Sequence, residues 1–211
     1  MFEIEYKGGN TVVITTKKTR LVTDPKLSLV GLKDLSTKDA IEIATESRFA
    51  VAAPDALLNI ESPGEYEVSE FSIRGVAAQR HIDTPEQRKA GTVYRIEVGD
   101  ARIALLGNIA EKLSEQQLEE IGIVDILILP VGGNGYTLDA TSAASIARSI
   151  DAKVVIPVHY ADSALSYEVP QDELAVFKKE LGGEVEQLTK LKVKAASSLP
   201  TVLTIVELTR S

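Results

Sequence analysis

The sequence predicts an α/β fold with four layers, an αββα sandwich in which helices cover the outer faces of two packed β-sheets. The N-terminal half contains short strand patterns joined by turns, with no helical pattern between them. In the C-terminal half, strand and helix patterns alternate. Two packed sheets with helices outside would bury both kinds of strand. A doubly wound sheet is less favoured, because so many N-terminal strands lack an intervening helix.

The N-terminal strand patterns are separated by turn signals. Lys7-Gly8-Gly9-Asn10 is typical of a hairpin turn, and Pro63-Gly64 sets a second turn. The predicted strands are FEIEY, NTVVITT, TRLVTDP, DAIEIA, EYEV and FSIRGVAA.

The C-terminal half begins after the strands TVYRIEV and ARIALLG, which flank a tight turn at Gly99-Asp100. A helix is predicted from the cap Ser114 to Gly122, and a second helix opens at Asp139. A third, PQDELAVFKKELGG, has Pro170 near its start and Gly182 past its end. The remaining predicted strands are VDILILP, AKVVIPV and TVLTIVEL. Since no low-complexity linker interrupts the pattern, we expect residues 1–211 to form a single domain.

Composition limits the classes of function. The chain has 211 residues, 44% of them hydrophobic, which is enough for one sizeable core. The formal charge of -8 disfavours binding to nucleic acid, and the basic runs Lys17–Arg20 and Lys190–Lys194 are predicted to be solvated turns. The absence of cysteine excludes disulfides, thiolate zinc sites and a cysteine nucleophile. With no leader pattern and no apolar run of membrane-spanning length, we expect a cytoplasmic protein without membrane association.

Three polar residues follow predicted strands, which is where α/β folds place ligands. His159 ends VVIPVHY, Asn108 follows ALLG, and His81 follows AAQR. His159 has a purely structural alternative as a core histidine with satisfied nitrogens, and Asn108 has one as a turn residue. Tyr160 has one as a packing neighbour of His159, and His81 alone means little. Together the three positions favour a site.

The order of several segments resembles the metallo-β-lactamase superfamily, in particular its branch of ascorbate-6-phosphate lactonases and predicted zinc-dependent hydrolases. The resemblance extends over essentially the whole chain, and its specific part runs from Thr92 to Tyr160. It implies the same αββα sandwich. The segments are LVTDP, PGEYEV, VYRIEV, LLGN, VDILILPVGG and VVIPVHY.

The resemblance also implies where metal ligands belong. In that family a His-x-His-x-Asp-His loop, two further histidines and a bridging aspartate hold two metal ions. His159 and His81 match the two further histidines, whereas Asn108 stands in the place of the aspartate. The loop corresponds to ATESRFAV, and the residues at its four ligand positions are Glu46, Arg48, Ala50 and Val51.

Counting donors leads to the main functional prediction. A catalytic zinc site needs about three protein ligands and a water. Two histidines, one amide and the carboxylate of Glu46 fall short of two such sites, so we expect a non-catalytic pseudoenzyme without a metal cofactor. Its former cleft is predicted to bind a ligand or a protein partner, or to have only a structural role. The candidate residues of this cleft are Arg48, Arg80 and Tyr160. The two arginines suggest a carboxylate or phosphate ligand.

Two alternatives remain open. One is a metal-dependent hydrolase of phosphodiesters or lactones with a single zinc or manganese ion. It would use His81, His159 and a carboxylate from Glu46, Asp24 or Asp125. Asp24 has a competing role, because the family's Asp-Pro usually holds the ligand loop by hydrogen bonds. The other alternative is metal-free hydrolysis or nucleic-acid processing.

Overall fold

The computed structural model describes residues 1–83 and 90–211. Within these ranges the chain forms two stacked β-sheets, three α-helices and short 3-10 turns. The strands are β1 (Phe2–Gly8), β2 (Thr11–Thr15), β3 (Arg20–Thr23), β4 (Ile41–Ile43), β5 (Leu58–Ile60), β6 (Gly64–Val68), β7 (Phe71–Ala78), β8 (Gly91–Val98), β9 (Ala101–Leu105), β10 (Ile126–Pro130), β11 (Val154–Val158), β12 (Glu184–Leu188), β13 (Leu191–Val193) and β14 (Thr204–Leu208). The helices are α1 (Glu115–Ile121), α2 (Ala140–Ile150) and α3 (Leu174–Leu181).

One sheet has six strands in the order β13-β1-β2-β3-β4-β5. Strands β13, β1, β2 and β3 pair antiparallel, while β3, β4 and β5 run parallel. The carboxyl ends of β3 and β4 therefore lie at the same edge of the sheet.

The other sheet has eight strands in the order β12-β14-β11-β10-β9-β8-β7-β6. Strands β6 to β9 form antiparallel pairs, and β9, β10, β11, β14 and β12 run parallel. The strands β10 and β11 are buried along their whole length, because sheet residues face the second sheet on one side and helices on the other.

Two large apolar clusters hold these layers together. The first lies between the sheets and contains Ile4 and Ile14 from one sheet with Ile103 and Ile128 from the other. The second lies between the eight-stranded sheet and the helices, where Phe177 of α3 is fully buried. The structure confirms the predicted α/β sandwich. Of the helices in the described ranges, none packs on the outer face of the six-stranded sheet, where a small cluster forms instead: Val13, Val22, Ala40 and the half-buried Leu35.

Most predicted helix boundaries are confirmed by the capping hydrogen bonds. Ser114 and Gln117 form a capping box at the start of α1, Gly122 ends it, and the Asp139 carboxylate accepts a hydrogen bond from the backbone of Ser142 in α2. The prediction for α3 is wrong at its start. Glu173 is the N-cap residue, and Pro170 belongs to the preceding loop.

The interpretation of Lys190–Lys194 as a solvated turn is also wrong. Leu191–Val193 is strand β13, which pairs with β1, and the Lys190 ammonium lies 2.6 Å from the Glu3 carboxylate. Leu191 and Val193 are buried while Lys192 between them is exposed, so the lysines obscure the pattern of a short strand. No helix in the described part of the chain is long and apolar enough to span a membrane.

Candidate functional site at the strand ends

The ends of several strands meet at one edge of the two sheets. The backbone N–H of Thr92 donates to the carbonyl of Thr45, which follows β4 in the opposite sheet. The N–H of His159, after β11, donates to the carbonyl of Gly9 in the β1–β2 turn. The N–H of His81 donates to the carbonyl of Asn108. These contacts bring the predicted site residues to one edge of the sandwich.

Asp24 holds the loop that follows β4. Its two carboxylate oxygens accept hydrogen bonds of 2.7 Å from the backbone N–H and the hydroxyl of Thr45. Asp24 is 3% exposed, and this burial raises the pKa of its carboxyl to about 7 despite the two donors. Both oxygens are therefore committed to the loop.

Glu46 is the centre of a cluster of charges. Its carboxylate accepts a hydrogen bond of 2.9 Å from Arg48 Nε, and Arg80 Nη1 lies 3.5 Å away. Arg80 also forms a 2.6 Å ion pair with Asp83, and Arg48 lies 3.9 Å from Glu168. Burial raises the pKa of Glu46, and the two guanidinium groups oppose that shift.

The segment that the resemblance assigns to the ligand loop is held by a buried carboxylate. Glu42 is fully buried, and one of its oxygens accepts hydrogen bonds of 2.7 and 2.8 Å from the backbone N–H groups of Val51 and Ala52. Its other oxygen accepts from the Thr37 hydroxyl. Ala50 and Val51 thus belong to a fixed turn and provide no side-chain donors.

Asn108 pairs with a residue from the β1–β2 turn. The amide nitrogen of Asn10 lies 3.1 Å from the amide oxygen of Asn108, and both side chains are at most 5% exposed. The Asn10 oxygen and the Asn108 nitrogen have no hydrogen-bond partner within the described ranges. An amide pair therefore occupies the place that the resemblance assigns to a bridging aspartate.

His159 lies between two tyrosines. Its ring centroid is 4.7 Å from that of Tyr167 and 5.5 Å from that of Tyr136. It is 3% exposed, and neither ring nitrogen has a partner among residues 1–83 and 90–211. Burial, and to a lesser degree the nearby Arg48, lower the pKa of His159 to about 3, so its imidazole is neutral at physiological pH. Its φ of 51° lies in the left-handed region, which is uncommon outside glycine and often marks functional positions.

A small cavity lies beside His159. Its volume is about 30 Å³, which exceeds the roughly 10–15 Å³ needed for one water molecule. Its buried polar walls include Asn10, Asp24 and His159. The apolar walls are Leu27, Leu29, Val30 and Phe49.

The other predicted residues lie elsewhere. Tyr160 does not line this cavity: its ring packs 5.9 Å from that of Tyr6, which favours its interpretation as a packing residue. Asp125 accepts three hydrogen bonds from the backbone and guanidinium of Arg102. His81 is half-buried and is tied to Asn108 through its backbone.

Three residues of the site were missed by sequence reasoning. Asn10 was assigned to the hairpin turn alone, Tyr136 follows a glycine-rich loop, and Tyr167 lies in the long loop between β11 and α3. None carries a sequence motif. They can be recognised only in the folded structure, where separate loops come together near His159.

The side chains present were compared with the metal centre that the resemblance implies. In the described ranges, no three His, Asp or Glu side chains are grouped so that they could hold a metal ion. Glu46 is already paired with two guanidinium groups, and Asp24 accepts two hydrogen bonds from Thr45. The donor set does not fit a two-metal centre, which needs several charged or imidazole ligands and a bridging carboxylate.

Sequence comparison identifies the family. Residues 3–159 match the Beta-lactamase superfamily domain. The chain is 30% identical over 224 residues to a UPF0173 metal-dependent hydrolase from Listeria monocytogenes serotype 4b (strain CLIP80459), and the alignment covers 88% of this chain and 97% of the relative. A UPF0173 metal-dependent hydrolase from strain F2365 of the same serotype is 24% identical with the same coverage.

Solved structures share the fold. A protein from Thermotoga maritima, assigned to the zinc-dependent hydrolases of the metallo-β-lactamase superfamily, aligns with a TM-score of 0.77 at 24% identity, covering 99% of this chain and 100% of that one. Igni18, a metallo hydrolase from Ignicoccus hospitalis, aligns with a TM-score of 0.61 at 15% identity, covering 99% and 95%. With the family match over most of its length, this chain belongs to the metallo-β-lactamase superfamily.

Proposed function

We propose that this chain is a non-catalytic member of the superfamily, in which a cluster of paired charged side chains replaces the metal centre and the remaining cleft serves for binding. The observation that carries the proposal is the pairing of Glu46 with Arg48 and Arg80. Glu46 is the one carboxylate among the four residues aligned with the ligand loop.

Electrostatics supports this reading. A metal ion on Glu46 would lie beside two guanidinium groups, and two like charges about 4 Å apart near a protein surface repel by about 4 kcal/mol. Without a bound metal there is no Lewis acid and no metal-activated water, so the hydrolysis typical of the family has no mechanism here.

The charge count also bears on the type of ligand. The cluster contains two guanidinium groups, of Arg48 and Arg80, and three carboxylates, of Glu46, Asp83 and Glu168. Since both arginines already have carboxylate partners, this arrangement disfavours a carboxylate or phosphate ligand at these positions.

The second candidate is a metal-dependent hydrolase with an atypical single zinc or manganese ion. It is favoured by the nitrogens of His81 and His159 that have no partner in the described structure, and by the names of the Listeria relatives. Its weakness is the third ligand, because Glu46, Asp24 and Asp125 are each engaged by other groups.

Elemental analysis separates the two candidates. The protein is produced in medium supplemented with zinc, manganese and iron, and purified without chelators. We expect well below one metal ion per chain, and no hydrolysis of phosphodiesters or lactones that disappears with a chelator. Near one ion per chain, lost in His159→Ala but retained in the control Glu65→Gln at an exposed ion pair, would overturn the proposal in favour of the hydrolase.

A further inference from the structure

The cavity beside His159 has polar walls with unused hydrogen-bonding capacity. Among the unpartnered atoms are both nitrogens of His159 and the oxygen of Asn10, and the nitrogen of Asn108, the residue paired with Asn10, also lacks a partner within the part of the chain that the structure describes. All three side chains are at least nine-tenths buried. A buried polar group without a partner destabilises a protein by about 1–3 kcal/mol, so such a concentration indicates a binding site.

These groups include both donors and acceptors. The neutral imidazole of His159 has one N–H and one acceptor nitrogen. Whichever way the two amides are oriented, the pair of Asn10 and Asn108 retains one free carbonyl oxygen and one free amino group. A complementary ligand must therefore donate and accept.

The buried walls carry no charge that is free to pair with a ligand. Both oxygens of Asp24 accept from Thr45, and Arg48 is paired with Glu46. Lys26 and Glu168, which also line the cavity, have opposite charges, and because Lys26 is half-buried and Glu168 is exposed, both keep contact with water. An anionic or cationic head group would lose its hydration without gaining a counter-ion, whereas a neutral group would not incur this penalty.

The remaining walls favour an apolar substituent. Leu27, Val30 and Phe49 line the cavity, and Leu29, which is 40% exposed, lies where the cavity meets solvent. The volume of about 30 Å³ admits a small head group while the apolar part of the ligand lies toward Leu29.

We infer that this cavity binds a small neutral molecule in which a carboxamide is attached to an apolar group. The carboxamide offers the donor and acceptor that match the imidazole and the amide pair. The inference rests on the proposed function, because a metal ion held by His159 would take the nitrogen that the carboxamide needs.

Three probes of similar shape test the inference: benzamide, benzoate and benzamidine, which are neutral, anionic and cationic at pH 7. The chain contains two histidines, so imidazole NMR signals can be assigned with His81→Phe and His159→Phe. With a chelator present, benzamide is expected to shift the His159 signal saturably and to bind about tenfold or more tightly than either charged probe.

Matched variants locate the binding. Asn10→Leu removes part of the amide pair and is expected to weaken benzamide binding by about tenfold. Asn59→Leu, at the exposed position of β5, is the control and should leave binding unchanged. Urea unfolding establishes that both variants fold, and if Asn10→Leu does not, the comparison of the three probes on the natural chain still decides.

Several outcomes would overturn the inference: no shift of the His159 signal with benzamide, equal affinity for all three probes, or unchanged binding in a folded Asn10→Leu variant. A parallel zinc titration without chelator separates this failure from failure of the proposed function. Saturation at one zinc per chain with a shift of the His159 signal would contradict the proposed function. If neither zinc nor benzamide binds or shifts the His159 signal, only the carboxamide site is contradicted.

Discussion

Arg80, which follows β7 in the eight-stranded sheet, lies 3.5 Å from the carboxylate of Glu46, which follows β4 in the six-stranded sheet. The ion pair therefore joins the two sheets at the edge where their strand ends meet. Arg48 binds the same carboxylate from within the loop after β4. Two side chains thus stabilise a buried negative charge that the rest of the site leaves without a partner.

Removal of this carboxylate is expected to destabilise the protein. Glu46→Gln leaves two partly buried guanidinium groups without their shared partner and lowers the free energy of unfolding by about 1–2 kcal/mol. The control is Glu65→Gln in the exposed pair of Glu65 and Arg74, with an expected change within about 0.5 kcal/mol. Urea unfolding measures both, and equal changes would contradict the structural role of the cluster.

The contact of Gly107 with Thr45 gives a second prediction. A Cβ atom on Gly107 would overlap the hydroxyl oxygen and Cβ of Thr45, which in turn holds Asp24. We expect Gly107→Ala to lower the free energy of unfolding by about 1–3 kcal/mol. Gly91→Ala is the control, since its nearest contact would be an ordinary 3.5 Å and its φ is not positive. Similar losses in the two variants would show that the overlap is relieved without strain.

Asp24 is expected to make stability fall as the pH rises. Its folded pKa of about 7 lies above the ordinary 3.8, so the folded state binds this proton more tightly between these values. The stabilisation is complete below about pH 4 and is lost as the pH rises to about 7, with a change on the order of a few kcal/mol. Unfolding of Asp24→Asn across this range should show a less negative slope than the natural chain. An unchanged slope would mean that the carboxyl ionises as it does in water.

His159 is expected to act in the opposite direction. Its folded pKa of about 3 lies below the ordinary 6.5, so the folded state binds fewer protons in this window and stability falls as the pH falls through it. The imidazole NMR signals of His159 should stay those of the neutral ring from pH 8 to about 4. A midpoint near pH 6 would contradict the buried, neutral state, and His159→Phe should remove the loss of stability at low pH.

The two pH effects overlap between about pH 4 and 6.5 and partly cancel in the natural chain. The single variants therefore reveal more than the natural profile: Asp24→Asn isolates the loss at low pH and His159→Phe isolates the loss at higher pH. Because both side chains line one cavity, the double variant tests whether the two effects are additive.

A helix or strand could be predicted from the sequence when the residues that define it are close together in the chain. The capped helices α1 and α2 were predicted because Ser114 and Asp139 bond to backbone groups three residues away. Strand β12 was missed because it is exposed along nearly its whole length, and its strand form depends on pairing with β14. Sequence periodicity records which face of a segment is buried and contains no information about a partner strand.

For the candidate site too, some features could be predicted from the sequence and others depend on the tertiary structure. The sequence by itself determined the superfamily and indicated that Asp24 holds the loop after β4, and the resemblance assigned Glu46, Arg48, Ala50 and Val51 to the ligand positions. Only the tertiary structure decided that Arg48 and Arg80 share Glu46, that Asn10 pairs with Asn108, and that His159 lies between two tyrosines. The physical reason is that residues as far apart as Asn10 and Asn108 meet only once both sheets are paired and stacked. A contact of that kind depends on the register of strands and the path of loops, which no local pattern specifies.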